Sequence, residues 1–135
     1  MIVVDTNVVA YLLIAGEQTE TARAVLASDA AWAAPMLWRS EFRNVLALYL
    51  RRRHLTLAEA LEVQTMAEEI VAGREYTVES AAVLTLAATS GRSAYDCEFV
   101  ALAQALDVPF VTSDRQLLAS FPEVVITLSE FGNNA

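Results

Sequence analysis

Four acidic residues stand where an isolated carboxylate is costly. Asp5 interrupts MIVVDTNVVAYLL, a stretch otherwise built on Ile2, Val3, Val4, Val8, Val9, Leu12 and Leu13. Glu41 falls in LWRSEFRNVLAL, where Leu37, Val45 and Leu48 at i−4, i+4 and i+7 put it on an apolar helical face. Asp96 opens YDCEFVALAQAL and shares a face with Phe99, Val100 and Ala103, and Asp114 follows the valine and threonine of PFVTSD. A lone buried carboxylate costs several kcal/mol unless something pairs with it. Taken singly, Asp5, Asp96 and Asp114 each precede a helical segment and suit an N-cap, a role worth about 1 kcal/mol. Taken together, carboxylates within a few ångströms raise one another's pKa values and cannot all stay ionised unassisted. A divalent cation resolves that conflict. Oxygen ligands with no His or Cys beside them favour Mg²⁺ or Mn²⁺ over zinc. The expected chemistry is phosphodiester hydrolysis by metal-bound water attacking in line, with one metal or two about 4 Å apart stabilising the developing charge.

Whether the four acids meet depends on the elements that carry them. Short apolar runs at residues 2–4, 31–34, 75–78, 109–112 and 124–127 read as strands. Segments of helical period fill the gaps, at 7–15, 20–27, 36–52, 57–72, 79–88, 97–106 and 115–119. Pro35 precedes the third helix, Thr56 with Glu59 forms a capping box for the fourth, and Gly73 and Gly91 follow the fourth and fifth. Strands separated by helices imply βαβ crossovers and a mostly parallel sheet covered on both faces. In such sheets the reactive site lies beyond the carboxyl ends of the strands, which selects Asp5 and Asp114 at once.

The 135 residues, undivided by linker or repeat, fit one domain. A hydrophobic fraction of 56% and a mean hydropathy of +0.39 exceed what one core of this size needs, and imply a subunit or partner interface. The apolar runs are too short for a spanning helix, and no secretory leader is evident, so a cytoplasmic location is expected. The single Cys97 rules out an internal disulfide and a paired-thiolate zinc site, and reads as a small buried hydrophobe. The net charge of −8 argues against a general nucleic-acid-binding surface. All nine basic residues are Arg. Without lysine, the P-loop, the Schiff base and lysine-assisted phosphoaspartate chemistry are excluded.

The segments MIVVDTNVVAYLL, AAPMLWRSEFRNVL, SAYDCEFVALAQAL and VPFVTSDRQLL, in this order and spacing, resemble the PIN-domain ribonucleases, most closely the VapC toxins of bacterial toxin-antitoxin pairs. The resemblance covers essentially the whole chain as one PIN domain, 1–135. It implies a three-layer α/β domain whose five strands run in the order 3-2-1-4-5. It also implies Mg²⁺ or Mn²⁺ held by Asp5, Glu41, Asp96 and Asp114, and endonucleolytic cleavage of RNA. Small polar residues beside the first and last acids map onto Thr6 or Asn7 and onto Thr112 or Ser113, as supports of the site or phosphate contacts. The resemblance further implies a homodimer and a VapB-like antitoxin segment that wraps the toxin and places a basic side chain in the acidic pocket.

Other residues fit less directly. Glu98, two positions from Asp96, is either a solvated glutamate near a helix start or a contact to metal or water. Arg51, Arg52 and Arg53 either complement a helix C-terminus or hold RNA phosphates, and His54 is not expected to act as a base. Trp32 and Trp38 read as core. With the four site acids set aside, the remainder is still anionic, so recognition of one structured RNA is expected over broad degradation. Two readings compete with the toxin: a PIN-fold binding module whose acidic pocket docks an Arg-bearing partner, and a nontoxic RNA-processing nuclease. A phosphoaspartyl phosphatase is disfavoured, because Asn7 stands where its second acid belongs.

Overall fold

The computed structural model of the chain describes residues 1–133. β1 (Ile2–Val4) leads into α1 (Thr6–Leu13) and α2 (Thr19–Ser28), and β2 (Trp32–Pro35) into α3 (Leu37–Arg51) and α4 (Leu57–Ile70). β3 (Glu75–Tyr76) precedes α5 (Ser80–Ser90) and α6 (Ala94–Leu106). β4 (Phe110–Thr112) precedes α7 (Arg115–Ser120), and β5 (Val125–Thr127) runs into α8 (Leu128–Asn133). The strands form one sheet in the order β3-β2-β1-β4-β5, and every pairing is parallel. The expected α/β architecture and strand order are therefore present.

β1 and β4 are buried along their whole length, which is why Ile-Val-Val and Phe-Val-Thr read as continuous apolar runs rather than alternating ones. One group of helices, α1 with α2, α3 and α4, and α2 with α8, packs separately from the α5–α6 pair, and α6 lies on β1, β2 and β4. Phe99 of α6 stacks on Phe110 of β4 with centroids 5.6 Å apart. Trp32 and Trp38 are fully buried, and each indole N–H finds an acceptor: the Asp29 carbonyl and the Glu75 carboxylate. They are core residues, as expected. Cys97 is also buried.

Several boundaries differ from the sequence reading. β3 is two residues long rather than four, because the chain turns away after Tyr76 toward α5. α6 begins at Ala94, capped by Ser93, so the helix starts before Asp96 rather than at it. α8 was not anticipated. It packs against α2, where a Cβ on Gly132 would stand 3.3 Å from the Cβ of Ala24; the missing side chain that looks like a helix breaker is what permits the close approach. The capping box of Thr56 and Glu59 is present, and Gly91 ends α5 in the left-handed conformation with φ of 73°. Among the described residues, no helix is long and apolar enough to cross a membrane.

Candidate active site

The central strands β1 and β4 pair with Val4 opposite Val111, which brings the residues just past their carboxyl ends side by side. The Thr112 hydroxyl donates to Asp5 Oδ2 at 2.7 Å and accepts from the Asp114 N–H at 3.1 Å, so one buried threonine bridges two acids 109 positions apart. Both acids are also helix caps. Asp5 Oδ1 accepts from the Asn7 N–H at 3.4 Å, and Asp114 Oδ1 accepts from the N–H groups of Gln116 and Leu117 at 2.8 and 3.2 Å. Capping and site membership are thus not alternatives: each carboxylate uses one oxygen on the helix start and keeps lone pairs free.

Glu41 reaches the same region from the second turn of α3, where the Thr6 hydroxyl donates to its Oε1 at 2.8 Å. Thr6 and Thr112 are 4% and 0% exposed, so their side chains are fixed and hold one oxygen each of Glu41 and Asp5. Asp96 departs from the N-cap alternative. Ser93 performs that task, accepting from the Asp96 N–H at 3.0 Å, which frees the Asp96 carboxylate to face the other acids.

The electrostatics follow from this convergence. Burial pushes the Asp5 carboxyl above its ordinary value, and the charges of Asp96 and Asp114 add to the rise, while the hydrogen bonds from Thr112 and Asn7 oppose it. Glu41 is raised first by burial and then by Asp5, Asp96 and Glu98, against the Thr6 bond. Asp96 is raised by burial and by Asp114, against Ser93 and Arg92. Asp5, Glu41 and Asp96, from three distant segments, are therefore raised together, with the charge of Asp114 acting on Asp5 and Asp96. Among the described residues, no group of three or more His, Cys, Asp or Glu side chains is closed tightly enough to enclose an ion. The donor set is all carboxylate oxygen, the chemistry that suits a hard divalent cation.

The remaining expected residues divide. Asn7 is exposed beside Asp5, and the Ser113 hydroxyl lies 3.2 Å from the Tyr11 hydroxyl. Glu98 is half-buried and lines a cavity of about 430 Å³ with Met36, Tyr76, Val83 and Leu84. Its charge acts on Glu41 rather than on Asp5, which places it to one side of the cluster. Arg51, Arg52 and Arg53 are exposed at the far end of α3, about 15 Å along the axis from Glu41 at 1.5 Å per residue. His54 packs edge-on against Tyr49 at that same end. Two neighbours were not picked out in the sequence. Arg92 donates to Gln116 Oε1 at 2.6 Å and tempers Asp96; Tyr11 lies one turn beyond Asn7 on the same face of α1, the signal that would have found it.

Residues 2–123 match the PIN domain family. Among curated proteins no significant match is found. In fold the chain is similar to PAE2754 from Pyrobaculum aerophilum, with a TM-score of 0.77 at 19% identity over 98% of this chain and 87% of that one. It is also similar to a toxin-antitoxin complex from Klebsiella pneumoniae, with a TM-score of 0.69 at 15% identity over 96% and 99%. FitAcB from Neisseria gonorrhoeae aligns with a TM-score of 0.72 at 21% identity over 95% and 98%. With the family matched across nearly its whole length, and the parallel sheet bringing the acids to its central carboxyl edge, the chain belongs to the PIN domain family.

Proposed function

We propose that the protein is a single-domain, cytoplasmic endoribonuclease dependent on Mg²⁺ or Mn²⁺, and the toxin of a VapBC-type toxin-antitoxin pair. PIN domains are generally nucleases that use divalent metal ions. The observation that supports this reading most is that Asp5, Glu41 and Asp96 are all raised, partly by one another's charges and by that of Asp114. A fold gains nothing in stability by gathering like charges and raising their pKa values, so a role outside stability is implied. These four residues would hold the cation, which when bound supplies a more acidic water and a counter-charge for the phosphate undergoing attack.

The protein's own groups do the rest. Thr112 and Thr6 fix the orientation of Asp5 and Glu41 by donating to one oxygen of each. Asn7 and Ser113 border the acids at positions suited to phosphate contact, and Glu98 adjusts Glu41 from the flank. Arg51, Arg52 and Arg53 offer charge to a neighbouring part of the RNA backbone. The same negative cluster is a receptor for an arginine or lysine of an antitoxin segment, which would silence the enzyme by occupying the place of the cation. The structurally similar Klebsiella pneumoniae protein is described as a toxin-antitoxin complex. Exposed Leu57 and Leu61 supply apolar surface for a second copy in a homodimer.

The test is cleavage of cellular RNA by purified protein with Mn²⁺, Mg²⁺ or chelator. Cleavage is expected with the cations, none with chelator, and none from Asp5→Asn or Asp96→Asn. Intact RNA under all conditions, or full activity in both variants, refutes the reading. The charge of Asp5 and Asp96 on Glu41 is also compatible with one other reading, a binding module that docks a basic side chain. Calorimetry separates the two, since a dock binds basic peptide without dependence on Mg²⁺ or Mn²⁺.

A further inference from the structure

A second cavity, of about 350 Å³, opens between α1 and α3, at the small end of the roughly 300–1,000 Å³ typical of ligand sites. Its position is set by two helices that leave the acid cluster side by side. On α1, Asn7 and Tyr11 follow Asp5 at i+2 and i+6; on α3, Val45 and Tyr49 follow Glu41 at i+4 and i+8. Thr6 ties the two helix starts together through its bond to Glu41. The cavity therefore begins about one helical turn, roughly 5–6 Å, beyond the carboxylates, the reach from a backbone phosphate to a neighbouring base.

The lining has the chemistry of a base site. Tyr11 and Tyr49 are half-buried and held in place: the Tyr11 hydroxyl by Ser113 at 3.2 Å, the Tyr49 ring by the edge of His54 at a centroid distance of 6.0 Å. Fixed aromatic rings present a stacking face with little further loss of side-chain freedom. The amides of Asn7 and Gln18 both donate and accept hydrogen bonds, while Glu17 only accepts, which suits a base carrying an exocyclic amine. Beyond Tyr49 the same helix ends in exposed Arg51, Arg52 and Arg53. That cationic exit matches a polyanion leaving the cavity and opposes a basic peptide lying along it.

We infer that the α1–α3 cavity receives an unstacked nucleobase of the RNA substrate, adjacent to the phosphate cut at the acid cluster. The strand then runs along α3, its next phosphates meeting the three arginines. This rests on the nuclease reading, and it assigns to Tyr11 and Tyr49 the choice of cleavage position rather than the cleavage itself.

The experiment uses a short RNA that the wild-type protein cuts once, synthesised also with an abasic unit at each nucleotide flanking the cut. Binding is measured by fluorescence anisotropy in an Asp96→Asn background that leaves the RNA intact. One abasic position is expected to weaken binding roughly tenfold, the scale of one lost stacking contact. With Tyr49→Leu added, that abasic penalty should vanish, while Tyr49→Phe restores it. In active protein, Tyr49→Leu should raise KM and blur the cleavage site with kcat little changed, at an unaltered melting temperature. If the wild-type protein cuts no RNA, the nuclease reading itself fails. If it cuts RNA and the abasic penalty survives Tyr49→Leu, or if that change weakens only the binding of a basic peptide, the cavity is not a base site.

Discussion

Helix α3 carries two acid-handling regions two residues apart, and they are built on opposite terms. Around Arg39 the chain neutralises itself. The guanidinium donates to both oxygens of Glu75 at 2.6 and 2.7 Å and lies 3.1 Å from Glu68, and Trp38 adds a bond to Glu75 at 2.7 Å. Glu75 is held below the ordinary carboxylate range, chiefly by Arg39. Around Glu41, pointing the other way, three acids gather instead of a base, and the carboxyls rise. The first region joins α3 to β3 and α4 and has no unmet electrostatic demand. In the second, Arg92 lowers Asp96, yet the three carboxyls stay raised; under the nuclease proposal an external cation completes it. Proximity of carboxylates alone does not mark a site; under the nuclease proposal, carboxyls that remain raised do.

The comparison breaks most visibly if one acid of the second region is made neutral. Asp96→Asn should lower RNA cleavage in Mn²⁺ by roughly a hundredfold or more, the scale for losing a group that stabilises developing charge. The metal-free melting temperature should stay level or rise, because repulsion is relieved. A variant that both cuts RNA and unfolds early would reverse the assignment of Asp96 from site to scaffold. Thr112→Val is a gentler probe of the same region. It keeps the volume but removes the donor to Asp5 and the acceptor for the Asp114 N–H. Mn²⁺ affinity by calorimetry should fall roughly 10- to 100-fold, as for other groups that orient a metal ligand. Unchanged affinity would show that Thr112 serves the fold alone.

Much of this contrast was readable before any coordinates. The alternation of buried strands with helices gave the layer class, and acids interrupting apolar runs made Asp5 and Glu41 site candidates. What stayed hidden lacked a local signature. The pairing of Arg39 with Glu75 spans 36 residues and leaves no periodic trace. The contact of Tyr11 with Ser113 spans 102. The start of α6 was misplaced because its first turn, Ala94 and Tyr95, is exposed and contributes nothing to the apolar stripe from which the helix was read. α8 was not read from the sequence, and its Gly132 serves close packing against Ala24. Sequence patterns report which face of an element is buried; they do not report which polar groups meet once the elements are assembled.

The self-neutralised region should answer to stability and not to catalysis. Glu75→Gln retains the shape but loses the ion pair, and should lower the melting temperature by about 3–8 °C, with kcat for RNA cleavage preserved at a temperature where the variant is folded. A loss of kcat larger than the loss of folded protein would mean that Arg39 governs the orientation of Glu41, two residues away.

The smallest effect is also the one in which the two regions differ in sign. Asp5, Glu41 and Asp96 have raised folded-state pKa values, so the metal-free folded protein binds their protons more tightly than the unfolded chain does. The stability they contribute is present at low pH and lost as pH rises through those raised values. Glu75 is lowered from an ordinary value of 4.5, so its contribution is present above that value and lost as pH falls below it. In chelator, wild-type protein should therefore melt higher as pH falls toward the ordinary carboxylate range, then lose stability below it as Glu75 and its like are protonated. Asp5→Asn should flatten the upper limb and leave the lower one; Glu75→Gln should do the reverse. Mn²⁺ competes with protons for the same oxygens, so its stabilisation should shrink as pH falls. Identical melting profiles for wild type and Asp5→Asn in chelator would mean that Asp5 is not raised in the folded protein, and the contrast between the two ends of this one turn of α3 would then be geometric only.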